Sequence, residues 1–258
     1  MRSLERAGYL AHSQTAGYRA HLERARATIR WALEHCAPVY VSWSAGKDSS
    51  AMLWLAAEEC PTISARILTG GETRLLYPSL DRVIAWWRQR WPAMDLQEIL
   101  VDHVFADGWQ DASWVEQWRT FFNEWDRYLN RSCGDWNGLM VGLRSEESRY
   151  RRAWLRKRLP GCDYAIYRYS DSRARASRGL YRICPLDRWT TADVATLMAQ
   201  HGIPLLETYQ FVGMEGRTHL RTGRRSVQEF GQIAELRQRD PVSYNRLIQR
   251  FPELARWS

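Results

Sequence analysis

Residues 39–59 read VYVSWSAGKDSSAMLWLAAEE, and this stretch decides the fold. Its first part, Val39 to Trp43, is β-branched or aromatic apart from one serine, which is typical of a buried strand. The small and polar residues from Ser44 to Asp48 predict a tight turn. The apolar run from Ser49 to Glu59 predicts a helix that ends near Pro61. The order strand, glycine turn and helix is typical of a parallel α/β sheet.

The turn contains the chemical groups that bind an anion such as phosphate. Residues 44–46 are small, so backbone N–H groups can approach a bulky anion. The following helix N-terminus brings further N–H groups and a partial positive charge to the same place. Lys47 adds a compact ammonium group and Ser49 adds a hydroxyl donor. Asp48 repels a phosphate, so it either holds a Mg²⁺ or anchors the turn, and we favour a Mg²⁺ or water-bridged role.

The turn differs from the Walker A motif. Val41 stands where that motif has its first glycine, and Asp48 stands where it has Ser or Thr. An alternative interpretation is an ordinary helix N-terminus with Ser and Asp as capping residues. The position between a buried strand and an apolar helix favours an anion-binding turn.

Further strands and helices alternate along the chain. We predict strands at Ile63–Leu68, Leu96–Val101 and Leu139–Leu143, and a helix at Leu80–Trp91. This alternation predicts an α/β fold with a doubly wound, mostly parallel sheet, in which ligands lie beyond the carboxyl ends of the strands. The polar turns at 44–49, 69–72 and 144–149 each follow a predicted strand, so they should meet at one edge of the sheet.

The chain divides into three predicted segments. Residues 1–37 form a helical N-terminal segment, and residues 38–205 form the α/β domain. Residues 206–258 form a basic, irregular or helical segment that packs on or closes the site. Residues 107–131 predict a helical insertion, whereas residues 149–178 contain many arginines and few apolar residues and predict a mobile loop.

Composition narrows the possible partners. The formal net charge is +8, and only Lys47 and Lys157 among the 37 basic residues are lysines. This surplus favours anionic partners without separating nucleotides from nucleic acids. The cysteines form no Cys-x-x-Cys pair, so neither a zinc ribbon nor an iron–sulfur cluster is expected. The odd number of cysteines, and the lack of a signal peptide or a long apolar run, predict a cytoplasmic protein that does not span a membrane.

Three more segments are informative when taken with residues 44–49. Residues 142–149 read GLRSEESR, residues 184–194 read CPLDRWTTADV, and residues 216–223 read GRTHLRTG. In order and spacing they resemble the phosphoadenosine phosphosulfate (PAPS) reductase family of the PP-loop ATP pyrophosphatase superfamily. The resemblance covers roughly residues 38–225, includes Tyr209, and implies an adenine nucleotide alpha-hydrolase-like, Rossmann-like fold.

The resemblance implies that ATP or PAPS binds at the turn, accompanied by Mg²⁺. It implies catalytic roles for Lys47, Asp48 and Arg144, with Asp48 as the candidate magnesium ligand. Arg217, His219 and Arg221 either close over the ligand as a lid or form a solvated basic tail. The resemblance also implies nucleotide binding by Ser42, Ser44, Ala45, Gly46, Lys47, Asp48, Ser49, Thr69, Gly71, Glu72, Gly142, Arg144 and Arg149. For residues 69–72 a plain strand-to-helix turn is an equal alternative, and for Arg144 and Arg149 the alternative is an ordinary surface arginine.

Some residues of the matching segments have structural interpretations. Thr190 is predicted to cap the next helix, with Asp193 in the reciprocal capping position. We interpret Trp189 as a core residue, Asp187 as structural, and Cys184 as buried rather than reactive.

The sequence departs from the reductases of this family. No cysteine follows Cys184, where those enzymes have a nucleophilic cysteine in a C-terminal Glu-Cys-Gly-type segment. The favoured function is therefore cleavage of ATP between its α- and β-phosphates, which adenylylates an acceptor in sulfur or nucleic-acid modification. One alternative is a sulfonucleotide reductase that uses the thiol of a partner protein. The other is a nucleic-acid-binding accessory protein, based on the +8 charge and residues 149–154. For these arginines the alternative interpretation is an ordinary solvated surface. A homodimer is a further open alternative.

Overall fold

The computed structural model describes residues 3–69, 73–100, 136–168, 180–214 and 231–258. The strands in these ranges are β1 (Val39–Trp43), β2 (Ser64–Thr69), β3 (Asp95–Leu100), β4 (Gly138–Met140), β5 (Ile166–Arg168) and β6 (Tyr181–Ile183). The helices are α1 (Ser3–His12), α2 (Ala16–His35), α3 (Lys47–Glu59), α4 (Thr73–Leu76), α5 (Leu80–Arg90), α6 (Arg149–Trp154), α7 (Thr191–His201), α8 (Tyr209–Val212), α9 (Gln232–Arg239) and α10 (Pro241–Arg250). Ser145–Glu147 and Pro252–Trp257 are 3₁₀ helices.

The six strands form one sheet in the order β3-β2-β1-β4-β6-β5. Every neighbouring pair is parallel except β5 and β6, which are antiparallel. The chain runs from β1 outward to β3 and then returns to the other side of β1 with β4. The strand order therefore reverses between β1 and β4, and α/β sheets bind ligands at this kind of switch point. The predicted mostly parallel α/β sheet is confirmed.

Helix α3 begins at Lys47, two residues earlier than predicted. Gly46 is its N-cap with extended backbone angles (φ −77°, ψ 159°), and its carbonyl accepts a 2.9 Å hydrogen bond from the Ser50 N–H. The indole of Trp43 donates to the Ser50 hydroxyl at 2.9 Å, which ties the helix to β1. Lys47 and Asp48 consequently lie in the first helical turn.

The main core lies between one face of the sheet and the helices. Val39, Val41 and Trp43 of β1 alternate with residues of the opposite face and all belong to this core. Trp43 packs edge-on against Trp87, and these two residues and Trp189 are the largest fully buried side chains that the structure describes. No helix in the described part of the chain is long and apolar enough to cross a membrane.

The prediction of a loop over residues 149–178 is wrong for two segments that the structure describes. Residues 149–154 form α6 and residues 166–168 form β5. Leu155, Ala165, Tyr167 and Cys184 build a small apolar cluster that holds both elements to the sheet. The few apolar residues of this arginine-rich stretch thus have partners that are distant in sequence. Strand β4 is also shorter than predicted, ending at Met140.

Helix α7 begins with the predicted capping box. The Thr190 hydroxyl accepts from the Asp193 N–H, and the Asp193 carboxylate accepts from the Thr190 N–H at 2.8 Å. The same carboxylate is bonded by His12 Nε2 at 2.8 Å and by His21 Nδ1 at 2.9 Å. Asp193 therefore joins the two N-terminal helices to α7. Trp189 is buried in the core, as predicted.

We expect Asp193→Asn to lower stability near neutral pH by about 1–2 kcal/mol and to flatten its acid dependence. Burial alone raises the pKa of Asp193, but hydrogen bonds from the Thr190 backbone, His12 and His21 outweigh burial and lower it. A carboxyl with a lowered folded pKa stabilises the protein above its unfolded pKa and loses this contribution as the pH falls through the folded value. Urea unfolding between about pH 7 and pH 2 measures the effect. An unchanged acid limb in the variant would contradict this role.

Candidate functional site

Serine hydroxyls hold the turn after β1 in shape. The Ser49 hydroxyl donates to the Gly46 carbonyl at 3.1 Å and accepts from the Ser44 N–H at 3.1 Å. The hydroxyls of Ser44 and Ser49 are also 2.9 Å apart. Hydrogen bonds within the turn itself therefore stabilise its conformation.

Ala45 has a left-handed backbone, with φ of 50°, and its side chain is buried. This conformation costs a residue with a Cβ about 1–2 kcal/mol, whereas glycine adopts it freely. The strain lies at the centre of the turn that the sequence singled out.

Ala45→Gly is expected to change the free energy of unfolding by less than about 1 kcal/mol. Relief of the left-handed backbone offsets the lost methyl burial and the greater freedom of the unfolded chain. Ala51→Gly is the matched control, because Ala51 is equally buried within α3 and gains no such relief. The control should cost about 1–2 kcal/mol in urea unfolding. Equal losses at both positions would count against strain at Ala45.

Two buried cations meet at Asp48. Lys47 Nζ lies 3.1 Å from Asp48 Oδ2, and Arg144 Nε lies 2.7 Å from Asp48 Oδ1. The side chains of Lys47 and Arg144 are only 2% and 3% exposed. Arg144 follows β4 and Lys47 follows β1, so the cluster lies at the carboxyl ends of the two strands that flank the switch point. Asp48 anchors the turn here, which is one of the two roles that the sequence left open.

Arg144 also connects the turn to α7. Its Nη1 lies 2.5 Å from Glu146 Oε2, and its Nη2 donates to the Thr191 hydroxyl at 3.3 Å. The Glu146 carboxylate in turn accepts from the Thr191 N–H at 2.7 Å. Sequence reasoning did not single out Glu146, because its partners depend on how α7 packs beside the turn.

Gly142 lies against the backbone of α3. A Cβ on this residue would lie 2.8 Å from the Asp48 carbonyl carbon and oxygen and 2.9 Å from the Ser49 nitrogen. Only a residue without a side chain permits this approach. Gly142 is thus a packing requirement for bringing the end of β4 and Arg144 up to the turn.

Tyr209 is a site residue that the predicted set lacks. Its hydroxyl accepts the backbone N–H of Lys47 at 2.9 Å, and its ring centroid is 5.9 Å from Lys47 Nζ. The hydroxyl therefore satisfies one of the N–H groups that the first turn of α3 leaves without a helical partner. Tyr209 is separated from Lys47 by 162 positions, so no local pattern could have paired them.

Thr69 at the end of β2 is fully buried, and its hydroxyl donates to Glu98 Oε1 at 2.6 Å. Arg74 binds both Glu98 oxygens, at 2.8 and 2.9 Å, and its hydrogen bond is the largest cause of the lowered pKa of Glu98. Arg74 also pairs with Asp81, so a charged network supports the start of α4. In this structure the Thr69 hydroxyl is part of the Glu98 network.

The remaining predicted residues lie in different places. Ser42 is half-buried on β1, and Arg149 is exposed at the start of α6. Gly71 and Glu72, and the predicted lid residues Arg217, His219 and Arg221, lie outside the described residues. The turn residues 44–49, Gly142 and Arg144 are the ones that the fold brings together.

The contacts of Asp48 do not fit direct magnesium binding. Both carboxylate oxygens already face cations, at 2.7 Å and 3.1 Å. The part of the chain that the structure describes also contains no cluster of three or more His, Cys, Asp or Glu residues that could hold a metal. The assignment of Mg²⁺ to Asp48 remains a prediction, and no step below depends on it.

The fold and the site define an α/β protein with two buried cations at the switch point of a mostly parallel sheet. This chain belongs to the phosphoadenosine phosphosulfate reductase domain family, whose model matches residues 38–212. The match confirms the resemblance that the motifs indicated.

Solved structures are similar at the level of the fold. The PAPS reductase of Candida auris, solved as a phosphate complex, is 13% identical over 73% of this chain and 84% of its own, with a TM-score of 0.51. The U34-tRNA thiolase of Methanococcus maripaludis is 14% identical over 92% of this chain and 79% of its own, with a TM-score of 0.46. The NMN synthetase of Francisella tularensis is 15% identical over 70% of this chain and 71% of its own, with a TM-score of 0.45. No curated protein matches the sequence.

Proposed function

We propose that this protein binds ATP at the turn after β1 and cleaves it between the α- and β-phosphates. A nucleophilic oxygen of the acceptor attacks the α-phosphorus, the bond to the β-phosphate oxygen breaks, and pyrophosphate leaves. The adenylyl group is then bound to the acceptor, whose proton passes to solvent. Such a reaction depends mainly on positioning and on stabilising the charge of the leaving group.

The observation that carries this proposal is the pair of buried cations, Lys47 and Arg144, beside the first turn of α3. Buried charges act in a region where water screens them weakly, so they stabilise a developing negative charge strongly. Asp48 pairs with both cations. Glu146 pairs with Arg144, but its side chain is 48% exposed, so water screens the negative charge of Glu146. Family membership supports a nucleotide as the anion.

Three of the four described cysteines are buried, so they do not favour a reductase that uses a thiol of this chain. A sulfonucleotide reductase would still need the thiol of a partner protein. Burial raises the pKa of the Cys184 thiol to about 12 and that of Cys36 to about 11. The thiolate is the reactive form, so neither residue is a nucleophile at neutral pH. Cys60 lies at the C-terminal end of α3, the opposite end from the turn.

The test is a ligand comparison followed by product analysis. Calorimetry with ATP, its α,β-methylene analogue and PAPS should show that both ATP compounds bind more tightly than PAPS. ATP, but not the methylene analogue, should then release pyrophosphate when acceptors are supplied. Tighter binding of PAPS, or release of orthophosphate in place of pyrophosphate, would overturn the proposal.

A further inference from the structure

Helix α6 and the residues that directly follow it carry an exposed surface of arginine and tyrosine close to the cation cluster. We name it the α6 surface and define it as Arg149, Tyr150, Arg152 and Arg156. All four residues are exposed, and Tyr150 is 70% exposed. The exposed Tyr150 ring does not contribute to the core, so its place among guanidinium groups needs another explanation.

The charge of this surface is not balanced locally. Residues 148–162 contain six arginines or lysines and no acidic residue. Arg151 pairs with Glu147, and Arg158 pairs with Asp187 at 3.1 Å. The three arginines of the α6 surface form no ion pair with any residue that the structure describes. Their mutual repulsion is relieved when an anion binds.

The Tyr150 ring contacts the ring of Trp154 and is otherwise largely exposed. Its centroid is 5.6 Å from that of Trp154, at an interplanar angle of 40°. Trp154 is half-buried and packs on the apolar cluster that contains Leu155 and Tyr167. The Tyr150 ring thus contacts Trp154, and most of it stays exposed for stacking.

We propose that the α6 surface binds single-stranded nucleic acid. Guanidinium groups bind the phosphates, and an aromatic ring stacks on an unpaired base, which is the combination that single-strand-binding surfaces use. A base within a duplex is already stacked on its neighbours, so the exposed ring selects for a single strand. The inference does not depend on the proposed function.

The structure fixes this surface relative to the cation cluster. Glu147 accepts the Arg144 N–H at 3.1 Å and pairs with Arg151 of α6. The Ser148 hydroxyl caps α6 by accepting the Arg151 N–H at 3.1 Å. The five residue steps from Arg144 to Arg149 span at most about 18 Å. A nucleic-acid strand bound to the α6 surface therefore passes near the turn after β1.

Fluorescence anisotropy tests the proposal with labelled 20-nucleotide DNA and RNA strands and the full chain. Arg149→Gln/Arg152→Gln/Arg156→Gln should weaken binding at least tenfold, and Tyr150→Ala at least about fivefold. The matched control removes three exposed arginines of α9 and α10, Arg237→Gln/Arg246→Gln/Arg250→Gln, and should change binding less than threefold. Between 50 and 200 mM salt, wild-type affinity should fall about 20- to 50-fold, as the salt dependence of three or four phosphate contacts to a single strand predicts.

Each further outcome decides between explanations. No binding at 50 mM salt, or equal losses in both triple variants, would overturn the proposal. Competition by polyglutamate as effective as that by an unlabelled strand would also overturn it and indicate an acidic protein partner. Lys47→Ala should keep full strand binding, so a failure of ATP turnover and a failure of this surface are distinguishable.

Discussion

Lys47→Ala is expected to lower the rate of pyrophosphate release from ATP by about 10²- to 10³-fold. Removing one preorganised charge or hydrogen-bond donor from a reaction centre typically causes a loss of about this size. The ammonium is 2% exposed and lies 3.1 Å from Asp48, so no water takes over its role without rearrangement. Lys47→Arg should fail to restore the rate, because the planar guanidinium is larger than the ammonium group and this side chain is buried. Steady-state pyrophosphate assays measure the loss, and calorimetry separates it from weakened ATP binding.

The chain offers a matched control for this substitution. Lys157 is the only other lysine, and its ammonium lies over the Trp154 ring at 4.7 Å on the exposed surface. Lys157→Ala removes the same charge and should leave the affinity for ATP within about twofold, as expected for an exposed charge that water and salt screen. A Lys47→Ala protein that binds and cleaves ATP like the wild type would remove the turn from the proposed mechanism.

Gly142→Val is expected to lower the free energy of unfolding by about 3 kcal/mol or more and to weaken ATP binding at least tenfold. Gly142→Ala is expected to lower the free energy of unfolding by about 1–3 kcal/mol. The added Cβ would meet the Asp48 and Ser49 backbone at 2.8–2.9 Å, and backbone in a helix cannot move aside as a flexible side chain can. The end of β4 would be pushed from α3, and Arg144 would be withdrawn from Asp48. Urea unfolding and calorimetry with ATP measure the two effects.

Gly8→Ala is the control for adding a methyl group where there is space for it. Gly8 is an exposed residue within α1, and a Cβ there would meet nothing within 4 Å. Alanine should therefore stabilise the protein by about 0.5–1 kcal/mol, since glycine weakens a helix interior. If Gly142→Ala were equally harmless, the close contact between β4 and α3 would not be required for the site.

Local patterns explain how well the first strand and turn could be predicted. The limits of β1, Val39–Trp43, agree with the apolar run in the sequence, and the capping box at Thr190 and Asp193 has the predicted contacts. Strand and cap signals involve neighbours within a few residues, so the chain itself carries them. The arginine-rich stretch after Arg149 was misread because its apolar residues pack against Cys184 and other residues far along the chain.

The sequence by itself determined the strand–turn–helix unit, the parallel α/β class and the family, because alternating periodicity, turn residues and motif spacing are properties of contiguous segments. The tertiary structure alone decided that Arg144 and Asp48, 96 positions apart, share an ion pair, and that Tyr209 meets the Lys47 N–H. These contacts depend on the strand order and on how closely Gly142 lets β4 approach α3. A charged side chain finds its partner only after the sheet has assembled, since ion pairs and hydrogen bonds act over a few ångströms and do not follow from spacing along the chain.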